Sequence, residues 1–290
     1  MKRVDVLIIG AGPAGLTAGL YAARAGAKTV IAEMLATGGQ PNLTPAIENM
    51  PGFETIGGAE LGERMLLQAE TAGCEILYDE IYSIDTENNV IKFLTDEIEY
   101  RSLVIATGAS PKRLGLEHEE EFIGMGIHFC GLCDGGFYKG KDLVIVGGGN
   151  HAVEEAAYLG KFAKSITMIV NIDKLTAQQK LIDEIGKPHI IYNATVKSLV
   201  VENNKLAGVV LCNDDVVHCD AVFVCVGRTP NIELFRDKVA VDANGYIIVD
   251  REMRTNVRNI FAAGDITQKP VRQVITACAD GAIAGTTAAK

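Results

Sequence analysis

Val4-Asp5-Val6-Leu7-Ile8-Ile9-Gly10-Ala11-Gly12-Pro13-Ala14-Gly15 is the stretch from which the fold can be read. Val4 to Ile9 is an apolar run of strand length, the glycines follow at the spacing of a dinucleotide-binding turn, and Leu16 to Ala25 continues in helix-compatible residues. Each glycine has a physical task. Gly10 makes the tight turn, Gly12 lets backbone approach a pyrophosphate, and Gly15 lets the helix pack close to the strand with its positive end towards the phosphates. A second strand, Thr29 to Ala32, ends at Glu33, whose carboxylate can accept hydrogen bonds from a ribose.

The same unit occurs again. Leu143 to Val146 is a second apolar strand, and Gly147, Gly149 and Ala152 repeat the spacing of Gly10, Gly12 and Gly15 ahead of a helix-compatible stretch from Val153 to Leu159. The ends of the two units also correspond: Leu103 to Pro111 and Val222 to Pro230 are apolar strands running into Gly-x-x-Pro. Asn244-Gly245 reads as a turn, Ile260 to Asp265 as a strand ending in Gly264-Asp265, and Val274 to Ala284 as a helix that completes the first unit. The expected fold class is α/β, with two Rossmann-like domains, the second inserted into the first. The first domain is expected at 1–112 and 241–290, and the inserted one at 113–240.

Composition agrees with this class and excludes others. Hydrophobic residues make up 48% of the 290 residues and Gly numbers 31, while Trp is absent, which is the profile of a globular α/β chain rather than a disordered one. A formal charge of -10 argues against non-specific nucleic-acid binding, which depends on Lys and Arg neutralising phosphates. Asp5 interrupts the apolar run after Met1-Lys2-Arg3, so a strand is expected there rather than a signal peptide. No apolar segment approaches the roughly 20 residues of a membrane span, and a cytoplasmic location is expected.

Seven cysteines, at 74, 130, 133, 212, 219, 225 and 278, are too scattered for a disulfide framework in a reducing compartment. Only Cys130-Gly131-Leu132-Cys133 has a spacing that demands an explanation. A Cys-x-x-Cys loop keeps two sulfurs close enough to form and break a disulfide. It can also be half of a zinc site, but no second Cys pair or His pair supplies the other half, so no metal is expected. Cys74 and Cys225 read as small buried residues, Cys212 and Cys219 as flanking a hairpin, and His128 as a loop or packing residue.

The ordered set of Gly10 to Gly15, Gly38-Gly39-Gln40, Thr107-Gly108, Cys130 to Asp134, Gly147 to Ala152, Val226 to Asn231 and Ala262 to Asp265 resembles the low-molecular-weight thioredoxin reductases over essentially the whole chain. The resemblance implies FAD in the first domain. It would be contacted by Gly10, Gly12, Gly15, Glu33, Gly39, Gln40, Asn49, Asp265 and the Arg272-Gln273-Val274 segment, with Pro13, Ala14, Thr107, Gly108 and Gly264 in the same motifs. It also implies that Cys133 faces the flavin, that Cys130 attacks the disulfide of thioredoxin, that Asp134 serves as acid or base, and that the enzyme is a homodimer.

One part of the pattern is absent. Val170 stands as far beyond Gly149 as Glu33 stands beyond Gly12, and valine can neither accept from a ribose hydroxyl nor pair with a 2'-phosphate. Where the family carries His-Arg-Arg-x-x-x-Arg, this chain has Val170, Asn171, Ile172 and Thr176. Lys174 lacks the fork geometry of arginine, and Asp173 is a displaced carboxylate that would favour NADH. Asn150 and His151 also replace smaller family residues. Glycines kept without their ligand-reading groups resemble the ferredoxin-linked flavin thioredoxin reductases, which implies ferredoxin as electron donor. Docking an acidic carrier would use a local basic surface, with Lys139 and Lys141, Lys161 and Lys164, or Arg251, Arg254 and Arg258 as candidates. The alternatives are an NAD(P)H-dependent thioredoxin reductase, an oxygen-using flavin dithiol oxidase and a flavin redox sensor.

Overall fold

The computed structural model describes residues 1–43 and 47–290, with all their side chains except those of Leu43, Leu132 and Cys133. The chain divides into two compact units. One comprises Met1–Ser110 with Thr229–Lys290, and the other Pro111–Arg228. The expected return at 241 therefore falls late. Ile232, Phe235 and Val239 pack with Ile98, Tyr100 and Ile247 in the core of the first unit, so the segment before 241 already belongs there.

The first unit runs β1 (Lys2–Ile9), α1 (Pro13–Arg24), β2 (Thr29–Glu33), α2 (Gly58–Thr71), β3 (Glu75–Tyr78), β4 (Ile81–Asp85), β5 (Val90–Phe93), β6 (Glu97–Ile105) and the short β7 (Ala109–Pro111). The second contains β8 (Ile127–His128), α3 (Gly131–Asp134), β9 (Asp142–Val146), α4 (Asn150–Leu159), β10 (Ser165–Ile169), α5 (Gln179–Glu184), β11 (His189–Ile191), β12 (Val196–Glu202), β13 (Lys205–Leu211), β14 (Val216–His218) and β15 (Ala221–Val224), and β16 (Arg228–Pro230) starts at its last residue and runs on into the first unit. The chain then returns through β17 (Ile260–Ala262) and α6 (Val274–Ala288).

In the first unit β3, β2, β1, β6 and β17 lie in that order as parallel neighbours, while β4 and β5 extend β6 as an antiparallel meander. The second unit repeats the plan. Its parallel order is β11, β10, β9, β15, β8, and β12 to β14 form a separate antiparallel sheet. The fifth parallel strand comes from the end of the chain in one unit and from before the glycine turn in the other.

Strand alternation assigns the two faces. Val6 and Ile8 of β1 pack on Leu16, Ala18 and Ala22 of α1 and Ala284 of α6, whereas Leu7 and Ile9 face Ile98, Tyr100 and Ile247. In the second unit Leu143 and Ile145 pack on Ala152, Val153 and Ala156 of α4, and Val144 and Val146 face Leu206 and Val209. This alternation places each glycine turn at the carboxyl end of its sheet, where open α/β sheets bind ligands. Gly10 adopts φ +101, and a Cβ there would lie 2.5 Å from the Ala106 carbonyl oxygen. A Cβ on Gly15 would lie 1.8 Å from the Gly10 carbonyl oxygen, so helix and turn could not close with any larger residue. Among the described residues, no helix is long and apolar enough to cross a membrane.

Candidate active site

Helix α1 begins with Pro13 at its first position and Gly12 as N-cap, with no side chain capping it. The amides of Ala14 and Gly15 follow in a turn that has no intrahelical acceptors, and the helix dipole adds partial positive charge there. The approach to them is open. A Cβ on Gly12 would meet nothing nearer than the Gly39 Cα, at 3.9 Å. Gly264 closes the other flank, since a Cβ on it would lie 2.7 Å from the Ala14 Cβ.

Glu33 at the end of β2 is fixed beside this turn. One carboxylate oxygen accepts from the Ala11 N–H at 2.8 Å, and the other accepts from Met34 and Leu35 N–H at 3.0 Å each. Gln40 donates through its side-chain amide to the Ala109 carbonyl. Asn49 donates to the Gln273 side chain at 3.0 Å, and Gln273 forms a capping box with Thr276 at the start of α6, where Val274 packs beside Ile47, Ile56 and Leu61. Arg272 lies 3.9 Å over the Tyr246 ring and reaches the carbonyls of Asp265 and Thr267. Asp265 is half-buried in the turn Gly264–Ile266.

Two supporting residues carry no role in the sequence reading. Asn231 donates to the Thr107 carbonyl and its own carbonyl accepts from the Thr107 hydroxyl, both at 2.8 Å, while its N–H bonds the Gly108 carbonyl at 3.0 Å. Asp280 of α6 accepts from the Gly264 N–H at 3.1 Å and pairs with the largely buried Lys269. Uncapped amides, an open glycine approach and a fixed carboxylate are the donor set that a dinucleotide's pyrophosphate and ribose require. The residues present fit FAD.

The cysteine turn lies in the second unit. Cys130 is disulfide-bonded and precedes the single turn of α3, with the Asp134 N–H bonded to the Cys130 carbonyl at 3.1 Å. The side chain of Cys133 lies outside the described ones. The other five cysteines are free, and burial raises the thiol pKa of four: Cys74 to about 11, Cys219 to about 12, Cys225 well above its usual value, and Cys278 upward. Those four thiols stay protonated and poor as nucleophiles near neutral pH.

Helix α4 grips the turn from below. The buried Glu155 accepts the Gly131 N–H at 2.6 Å, and a side chain at Gly131 would collide with that carboxylate. Four residues earlier on the helix, His151 hydrogen-bonds the backbone of Phe129, with its Nδ1 lying 3.9 Å from Glu155. Burial raises the Glu155 pKa to about 7, against 4.5 for a free side chain, with only partial relief from the Gly131 N–H. A folded pKa above the unfolded one gives stability that is fully present below about pH 4.5 and lost as pH rises through about 7. Wild-type stability should therefore fall across that window relative to Glu155→Gln, by on the order of 3 kcal/mol. Urea unfolding at a series of pH values measures the difference, and parallel curves for the two proteins would contradict it.

The nucleotide-like end of the second unit is filled differently from the first. Val170 is buried, and a Cβ on Gly148 would lie 2.7 Å from its side chain. Thr176 donates to the Gly148 carbonyl through its N–H at 2.8 Å and its hydroxyl at 3.3 Å, and the Gln178 N–H bonds the Asn150 side chain at 2.8 Å. Asn171, Ile172, Asp173 and Lys174 are exposed. Of the basic docking candidates, all exposed, Lys141, Lys164 and Arg254 pair with Asp220, Asp142 and Glu252.

The family model described as pyridine nucleotide-disulphide oxidoreductase matches residues 4–281. A thioredoxin reductase from Listeria monocytogenes is 41% identical, covering 100% of this chain and 94% of that protein. Among solved structures, the thioredoxin reductase of Lactococcus lactis superposes with a TM-score of 0.81 at 38% identity, over 98% of this chain and 97% of that one. A ferredoxin-flavin thioredoxin reductase from Clostridium acetobutylicum gives a TM-score of 0.55 at 28% identity, over 100% and 98% respectively. The chain belongs to the low-molecular-weight thioredoxin reductase family, as a flavoprotein disulfide reductase whose cofactor is FAD.

Proposed function

We propose that this enzyme passes electrons from reduced ferredoxin through FAD and the Cys130/Cys133 pair to the disulfide of thioredoxin, as a cytoplasmic homodimer. The observation that carries the choice of donor is the buried Val170 at the strand end where the first unit has Glu33, followed by the exposed Asn171 and Ile172. An NADPH site needs a charged fork at these positions, and each such contact contributes roughly 1.5–3 kcal/mol.

In the first unit, the amides of Ala14 and Gly15 hold the pyrophosphate, Glu33 the adenosine ribose, and Asp265 the ribityl hydroxyls. Asn49, Gln40, Gly39, Thr107, Gly108 and the segment from Arg272 to Val274 line the remainder. When bound, FAD supplies a store that accepts electrons singly and gives them up as a pair. Two reduced ferredoxins and two protons then balance one disulfide converted to a dithiol. Cys133 receives the electron pair and Cys130 attacks the protein substrate, with Asp134 carrying the proton.

The donor assignment is tested by calorimetric titration of the oxidised holoenzyme with NADPH. No binding tighter than millimolar is expected, whereas Asn171→Arg combined with Ile172→Arg and Thr176→Arg should gain affinity by about 10- to 100-fold. Micromolar binding by the unaltered enzyme would overturn the assignment.

A further inference from the structure

The Cys-x-x-Cys turn is followed by Asp134, and Asp134 is not alone. His128 Nδ1 lies 3.1 Å from the Asp134 carboxylate, and His128 Nε2 lies 2.8 Å from the Tyr138 hydroxyl. The imidazole is only 3% exposed. It is stacked on Phe223 at 5.4 Å between ring centroids, and Tyr138 meets it edge-on at 5.2 Å. All of these residues belong to the second unit, and β8 and β15 set the His128–Phe223 pair directly opposite each other as parallel-strand partners.

The hydrogen-bond chemistry of this line is specific. A carboxylate only accepts, so Nδ1 carries its hydrogen and donates to Asp134. In the neutral ring Nε2 accepts from the Tyr138 hydroxyl. If Nε2 gains a proton it donates instead, and the Tyr138 hydroxyl needs only to rotate to accept it. His128 is therefore held at both ring nitrogens, by Asp134 at Nδ1 and by Tyr138 at Nε2. Burial together with the charges of Asp134 and Asp220 raises the Tyr138 pKa, so the phenol keeps its own hydrogen. The charged and titratable groups around the line are Asp134, Tyr138, Asp220 near Tyr138, and Glu155, which feels the Asp134 charge.

We propose that His128 is a positioning residue of disulfide exchange, holding the Asp134 carboxylate at the cysteine turn through its Nδ1–H while the Tyr138 hydroxyl fixes the ring at Nε2. This rests on the proposed role of the Cys130/Cys133 pair and adds the path of its protons. In the first exchange the Cys130 thiol gives its proton to Asp134, its sulfur bonds one sulfur of the partner's disulfide, and that disulfide breaks. The departing partner thiolate takes a proton back from Asp134. In the second exchange Cys133 loses its proton by the same route and bonds Cys130, the mixed disulfide breaks, and the second partner thiolate is protonated. Two thiol protons leave the enzyme and two arrive on the product. Between departure and arrival each proton resides on Asp134, whose carboxylate the buried imidazole keeps oriented.

The test uses FAD-loaded enzyme reduced chemically with dithionite, so that its outcome is independent of the electron donor. His128→Gln is expected to lower the rate of thioredoxin reduction on the order of tenfold, below the ~10²-fold of losing a direct proton carrier. It should leave KM unchanged and shift one inflection of the pH–rate profile. Asp134→Asn should cost more, and the double variant should be no slower than Asp134→Asn, because the two residues share one path. An unchanged pH profile, or additive losses in the double variant, overturns the proposal. NMR of the wild-type His128 ring gives a second reading that needs no variant. Its Nδ1 should carry hydrogen donated to Asp134, and a ring with Nδ1 bare contradicts the positioning role. Loss of the pair's own role would show separately, as unimpaired turnover by Cys130→Ser.

Discussion

Cys130→Ser is expected to abolish thioredoxin reduction, with a loss of at least ~10³-fold, while FAD content is retained. A serine hydroxyl cannot form the mixed disulfide through which exchange proceeds, so no slower version of the same reaction is left. Rescue by the buried thiols of the second unit is shut off by their burial. Cys225 lies at the end of the strand carrying Phe223, but its thiol pKa is raised well above the ordinary value, and Cys219 is held at about 12. Opening a loop as short as Cys-x-x-Cys costs about 2 kcal/mol of unfolding free energy in the chain-entropy account, so the variant stays folded. Turnover with thioredoxin and the flavin spectrum are measured on the same preparation. Retained turnover at more than a tenth of wild type would sink the redox role of Cys130.

Gly281→Val is the second large effect, and it acts on the cofactor cradle from behind. Helix α6 lies against α1 through Gly281 and Gly285. A Cβ at Gly281 would approach the Ala14 carbonyl oxygen to 2.2 Å, and one at Gly285 would approach the Ala18 carbonyl oxygen to 2.1 Å. Both obstacles are backbone, so no rotamer change relieves them and the helices must separate. Overpacking of this kind costs about 3 kcal/mol, which for a chain of this size is a Tm drop of roughly 5 °C. Ala14 belongs to the turn whose amides face the pyrophosphate, so separation should also reduce bound FAD. Calorimetry and FAD content per chain measure both effects. A variant with wild-type Tm would show that α1 and α6 are not packed as described.

How much of this was legible in the sequence follows from the range over which each feature is encoded. The two glycine turns are local, and their repeat led to two units whose parallel sheets share the order of four strands and differ in the origin of the fifth. The strand role of Ile260 to Ala262 was also legible, because an apolar run before Gly264-Asp265 leaves few alternatives. The return point was not. Ile232, Phe235 and Val239 are apolar at a spacing that either unit could bury, and only the packed core assigns them to the first.

The supporting residues were harder still. Glu155 is one of two adjacent glutamates on a helix, and nothing local distinguishes it from its exposed neighbour Glu154. Its importance comes from a contact with Gly131 across the fold. His128 read as a packing residue because its partners, Asp134 and Tyr138, come within hydrogen-bond reach of it only when the chain turns back after the cysteines. Asn231 and Asp280 likewise act on loops far away in sequence. Val170 in place of a carboxylate was legible in advance because it is a difference between two copies of one unit within the chain, whereas the absent arginines were legible only against the pattern of the family the chain resembles.

The central claim is that electrons reach the Cys130/Cys133 pair through FAD without a pyridine nucleotide. Anaerobic stopped-flow absorbance of the holoenzyme in the flavin band tests it most directly, with thioredoxin thiols counted at the end of each run. Reduced ferredoxin is expected to bleach the band and yield one thioredoxin dithiol for every two carriers oxidised, while NADPH and NADH leave the band intact. Rapid bleaching by NADPH, followed by thioredoxin reduction, would contradict the account.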